Sequence, residues 1–274
     1  MDILNSALSI LFAAVLTPFR GMHPLAGLAA VSVAAGALML LVFKWTSNQK
    51  GLAAARDRMQ GRLLEMRLFA SDPAQTLRSA GMLLLDNLSY IRHMLVPMLI
   101  LIGPIVLLLA QASAWYRFRP ALPGESVIVR AVVSDSASET DLDRAALDAG
   151  PGVTVETPPL RIPGQREINW RVNPGNPGRH ILRVKIGGTT TDKQFAAGRH
   201  AAAAWPARVS GGVFARALNP GEPAIRNAVI QKISIDYPER ELLVFGRPVH
   251  WLVVFFALSL ASAYALRGVF RVEV

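Results

Sequence analysis

The chain contains no cysteine. No disulfide can therefore staple an exported part, and no thiolate is present to serve as nucleophile or metal ligand. The short motifs of several enzyme classes are missing as well: there is no phosphate-cradling glycine loop, no HExxH and no nucleophile elbow. Five histidines, His23, His93, His180, His200 and His250, are scattered along the sequence, and each reads as a surface or interfacial residue rather than a ligand. The acidic stretch DSASETDLD, residues 135–143, lacks the glycine at the sixth position and the glutamate at the twelfth that a calcium loop requires. It reads as a solvated loop. These absences point away from an enzyme, a cofactor and a bound metal.

Charge is missing from three long windows. Residues 25–43, 94–114 and 249–266 contain no Asp, Glu, Lys or Arg. At 1.5 Å per helical residue they reach about 27 to 31 Å, close to the hydrocarbon thickness of a bilayer. The expectation is an α-helical membrane protein with three transmembrane helices. The net charge of +10 over 274 residues would suit nucleic acid, but in such a chain the placement of the basic residues outweighs their total. Segment 44–93 carries eight Lys or Arg against four Asp or Glu, and in a loop this short the positive-inside bias places it in the cytoplasm. The N-terminus and residues 115–248 then lie outside. The tail 267–274, with Arg267 and Arg271, lies inside, and the Ala- and Arg-rich composition suggests a bacterial plasma (inner) membrane. In residues 1–24 the apolar run is short and ends at Pro18, and a fourth span there stays open as the alternative to an interfacial helix. Leu4, Leu8, Leu11, Phe12, Val15 and Phe19 share one helical face while Asn5, Ser6 and Ser9 lie off it, which predicts an interfacial helix.

The basic segment has its own order. Leu52, Ala55, Met59, Leu63, Met66 and Ala70 recur at spacings of three and four, and Leu77, Gly81, Leu84, Leu88 and Ile91 repeat the rhythm after a break at Ser71-Asp72-Pro73. Asp72 suits an N-cap and Pro73 a first helical position. This predicts a coiled-coil-like helical hairpin over 44–93. Residues 115–248 change character: ESVIVRAVV, GVTVE, REINWRV and RHILRVKI read as strands separated by turns such as NPGNPG and IGGTTTD. They predict an extracytoplasmic all-β, Ig-like sandwich with Trp170 in its core. The Ala-, Gly- and Pro-rich segment 201–223 predicts no element.

The order of interfacial helix, span, basic methionine-bearing hairpin, proline-containing span and third span resembles the YidC/Oxa superfamily of membrane protein insertases, in its three-span form. The likeness is carried by FKWTSNQKGLAAARDRMQGRLLEMRLF and SDPAQTLRSAGMLLLDNLSYIRHMLVPMLILIGPI. It implies a water-filled groove with a basic residue, for which Lys44 is the corresponding position; Asn48 and Gln49 would extend a polar floor. A cation at the inner end of a span is equally served by snorkelling. Met59, Met66 and Met82 would offer a pliable surface to substrate helices, or pack the seam. The function expected is insertase-like or chaperone-like assistance to membrane insertion or assembly. The alternative is a non-catalytic anchoring subunit whose outer domain binds a partner. Besides the lipid bilayer, a membrane protein partner or a second copy is expected on the first span, where Gly27, Ala30, Ala34 and Gly36 allow close approach; an extracytoplasmic protein partner is also compatible, and nucleic acid is not expected.

Overall fold

The computed structural model describes residues 2–19, 21–135, 137–199, 202–270 and 272, with side chains from residue 5 onward. His200, Arg271 and the side chain of Leu4, all named above, lie outside the described residues. In chain order the elements are α1 (Asp2–Leu16), α2 (Pro24–Thr46), α3 (Gln49–Leu68), α4 (Pro73–Tyr116), β1 (Val127–Val133), α5 (Glu139–Asp143), β2 (Ala146–Asp148), β3 (Val153–Val155), β4 (Leu160–Ile162), β5 (Glu167–Pro174), β6 (Gly178–Ile186), β7 (Thr189–Ala197), β8 (Ala207–Val209), α6 (Val213–Leu218), β9 (Ile230–Ile235), β10 (Leu242–Val244), β11 (Arg247–Val249) and α7 (Trp251–Phe270). Three helices, α2, α4 and α7, are long and apolar enough to cross a membrane, and a β-sheet domain lies between the second and third. The chain divides into two compact units, residues 1–29 with 106–254 and residues 30–105 with 255–274.

In the first unit β3-β5-β1-β9-β8 form one sheet, with β4 also paired to β5, and β2-β6-β7 form another. Along β1 the alternation buries Val127, Val129, Ala131 and Val133, and Val129 pairs with Trp170 on one side and Ile235 on the other. These residues share one core with Leu182, Val184, Ile186 and Phe195 of the second sheet. Trp170 is buried at the centre, as its alternating strand predicted. Three local readings need correction. IGGTTTD is not only a turn: Gly187 and Gly188, both at positive φ, make a two-residue connection, and Thr189 already pairs with Ile186 at the start of β7. DSASETDLD is not an open loop. Ser138 and Asp141 form a reciprocal capping box on α5, which gives Asp141 its role. Within 201–223 the structure places β8 and α6.

On α1, Asn5 and Ser9 turn toward the protein and part of the apolar face turns away from it. Asn5 is buried, and Ser9 exchanges hydrogen bonds with Gln111 of α4 at 3.0 to 3.1 Å, while Ile10, Leu11 and Val15 are exposed. Gly27 is taken up within the chain: a Cβ there would lie 2.7 Å from the Tyr116 hydroxyl.

The helix α4, whose residues 73–105 belong to the second unit and 106–116 to the first, runs unbroken through Pro97 and Pro104 for 44 residues, about 66 Å. The expected membrane border at 93/94 thus falls inside one continuous helix. Likewise α7 starts after 249 and continues past 266, so the expected tail begins inside a helix. At the tip Asp72 accepts from the Ala74 and Gln75 amides at 3.0 and 3.2 Å, capping α4. The seam differs from the predicted one. Leu52 and Ala55 are buried, but Leu63, Leu77, Leu84, Leu88 and Ile91 are all more than half exposed. A polar clasp joins α3 to α4 instead: Arg58 and Arg62 reach Asp86 at 2.9 and 3.8 Å, and the buried Ser79 hydroxyl donates to Glu65 at 3.1 Å, with Arg62 also bracing Glu65 within α3 at 3.0 Å. The Arg62 and Ser79 hydrogen bonds hold the Glu65 carboxyl below the usual carboxylate range. Near the middle of α2, a Cβ at Gly36 would collide with Ser262 Oγ and the Ser259 carbonyl of α7. The small-residue face predicted to await a partner is thus occupied, at both glycines, by the chain's own residues.

Candidate functional groove at the base of the hairpin

Where α2 ends, Thr46 donates back to the Val42 carbonyl at 2.7 Å, and after a two-residue turn the Asn48 side chain accepts from the Gly51 amide at 3.0 Å to start α3. The N-cap explains the sharp reversal. It leaves room for α4 to pass close by: a Cβ at Gly51 would lie 2.8 Å from the His93 ring, so glycine is needed there. His93 is held in turn by its Nδ1, 2.7 Å from the Ser89 carbonyl one turn earlier.

Between these elements lies a groove of about 810 Å³. Thr46, Asn48, Ser89, Arg92 and His93 supply its polar lining; Leu85, Leu88, Ile91, Leu95 and Val96 supply its apolar rim and are each more than half exposed. The lining contains basic residues and no carboxylate. The hydrogen bond of the His93 ring goes to the Ser89 backbone carbonyl, and among the described residues no cluster of three or more His, Cys, Asp or Glu could hold a metal. What the arrangement can do is receive an amphiphilic segment, hydrogen-bonding its polar part and covering its apolar part.

The six residues named from the sequence are not brought together. Asn48 alone lines the groove. Lys44 Nζ donates to the Phe270 carbonyl at 2.7 Å, neutralising the carbonyl end of α7 rather than facing the cavity. Gln49 donates to the Ser47 hydroxyl. Met59 lies beside Asn87 on the hairpin, 3.9 Å from sulfur to amide nitrogen, and Met66 and Met82 are half-buried farther along. Ser89, Arg92 and His93 were missed as site residues. The signal was present: Arg92 and His93 are the last ionisable residues before the uncharged half of α4, and a helix that continues through them must present them on one wall. Family models, curated proteins and solved structures were all compared with the chain, and none matches.

Proposed function

We propose that the chain is an insertase-like or chaperone-like integral membrane protein on the layout of the YidC/Oxa superfamily. It stands in a bacterial plasma membrane with the α3–α4 hairpin in the cytoplasm and an Ig-like sandwich on the other side. The observation that carries this reading is the groove at the hairpin base, polar within and apolar along its exposed rim. A bilayer core of about 30 Å takes less than half of α4, so the charged half stands in water and the groove falls at the border. There Thr46, Asn48, Ser89, Arg92 and His93 solvate the hydrophilic flank of an entering segment, and the leucine rim guides its apolar part toward lipid. Arg92 takes the role first given to Lys44. A membrane partner or second copy packs on α2 residues still exposed, among them Val33, Ala34 and Leu38.

The test is reconstitution of the full chain into liposomes, with insertion of a single-span substrate read by protease protection. Ser89→Leu and Asn48→Leu, which make the floor apolar, should abolish insertion while the chain remains folded. Unchanged insertion in both would refute the reading. One observation favours the anchoring alternative: Phe245, fully exposed at the β10–β11 turn with φ +50, holds an apolar ring out in a strained conformation. If that alternative is right, Phe245→Ser releases a co-purifying protein while groove variants have no effect.

A further inference from the structure

A second pocket, distant in sequence from the groove residues, lies in the first unit. We propose that it binds a phosphate-bearing polar head that also carries a hydrogen-bond donor, the chemistry of an ethanolamine or glycerol phosphodiester. The pocket has a volume of about 300 Å³, and Asn5, Ser6, Ser9, Ile10, Arg216 and Glu222 line it.

Asn5 sets the first requirement. It is 4% exposed, and its Nδ2 donates to the Arg216 carbonyl at 3.0 Å, which identifies the other amide atom as the oxygen. That Oδ1 is buried and has no hydrogen-bond partner. A buried acceptor left unpaired is costly, so the site calls for an N–H or O–H from outside. The neighbours do not supply one. Ser9 and Gln111 bond each other, and the Gln111 amide also reaches the Asn5 backbone carbonyl at 3.3 Å.

Arg216 sets the second requirement. Its Nε donates to the Gly211 carbonyl at 3.1 Å, and its terminal nitrogens have no hydrogen bond or ion pair among the described residues. The Glu222 carboxylate does not compete for them, because its oxygens are taken by Lys193 Nζ and the Gln194 amide. The charge left at the pocket is therefore one guanidinium, a fork that matches phosphate. Acceptor and fork together select a ligand with a phosphate and a separate donor. Exposed Ile10, Leu11 and Val15 of α1 flank the site, so acyl chains would find apolar surface beside the head.

The full chain, purified in mild detergent and stripped of lipid, is titrated with phosphatidylethanolamine, phosphatidylglycerol and phosphatidylcholine of identical acyl chains and read by native mass spectrometry. The first two heads carry N–H or O–H; the trimethylammonium of the third cannot donate. The wild-type chain should retain either of the first two roughly tenfold better than the third, the scale of one hydrogen bond to an otherwise unpaired buried acceptor. Asn5→Ala should erase that preference, and Arg216→Gln, at a half-exposed position, should weaken all three lipids. Glycerophosphoethanolamine separates the two sources: competition at concentrations equal to the lipid assigns the pocket to a soluble phosphodiester, and failure to compete assigns it to a lipid head, either of which upholds the chemistry. Equal retention of the three lipids, retention of none, or an undiminished preference in Asn5→Ala overturns it.

Discussion

Replacing Glu222 by glutamine leaves a buried ammonium with nothing to neutralise it. Lys193 lies on β7 with its side chain fully shielded, and its Nζ donates to Glu222 and to the carbonyls of Trp205 at 2.8 Å and Gln194 at 3.2 Å. The pair pins the segment that follows α6 to β7, helped by Gly221, where any Cβ would run into the Trp205 ring. Removing one partner of a buried pair costs about 3 to 5 kcal/mol; glutamine keeps an acceptor, so the lower end applies, about 3 kcal/mol. For a domain of this size that lowers the melting temperature by about 9 °C, read by near-UV dichroism of the full chain in detergent. Lys193→Met with Glu222→Gln should recover much of the loss, because the desolvated charge disappears with its partner, giving a coupling of about 2 kcal/mol. Burial already pushes the Lys193 ammonium below its ordinary value of 10.5, against the opposing pull of Glu222. The unfolded chain therefore holds this proton more tightly than the folded one, and the group's contribution to stability rises with pH up to 10.5. In Glu222→Gln the depression deepens, so the deficit should narrow as pH is raised. A variant within about 1 kcal/mol of wild type at neutral pH, the scale of an exposed pair, with a deficit that does not change with pH, would refute the argument that this pair is desolvated.

Three further outcomes are expected. Trp170→Ala should destabilise the β domain by about 3 to 5 kcal/mol, measured by the same melt, since a ring is removed from a packed core. Gly36→Leu should cost at least the 1 to 3 kcal/mol or so of an overpacked core and separate α2 from α7, seen as a longer distance between spin labels on the two helices, whereas Ala34→Leu, on the exposed side, should be tolerated. Because the chain has no native cysteine, single cysteines at Ser71 and Asp135 should label with an impermeant maleimide from opposite sides of the membrane. Labelling of both from one side would sink the proposed orientation.

Periodicity made the large elements legible. Runs without charge announced α2, α7 and the distal half of α4, alternation announced β1, β5 and β6, and Asp72-Pro73 announced the helix start after the bend; each depends on the chemistry of neighbouring residues and survives in any tertiary context. The hairpin seam was not legible, because its leucines and its charged residues both recur at helical spacing. Only packing decided that Arg58, Arg62, Glu65, Ser79 and Asp86 meet between the two helices while Leu77, Leu84 and Leu88 stay exposed.

The same holds for the groove and for the polar side of α1. Lys44 and Arg92 are alike as sequence, each a cation at the end of an apolar run, and their roles differ because the C-terminal carbonyls of α7 meet one and the reversal at Asn48 opens beside the other. An apolar helical face does not by itself say which side packs on the protein: on α1, Asn5 and Ser9 point into it while Ile10 and Leu11 point away. Composition thus determined which segments are helix, strand or span-like; which atoms meet across them, and so where any ligand can bind, was decided by contacts such as Asn5 with Arg216 that join residues far apart in the chain.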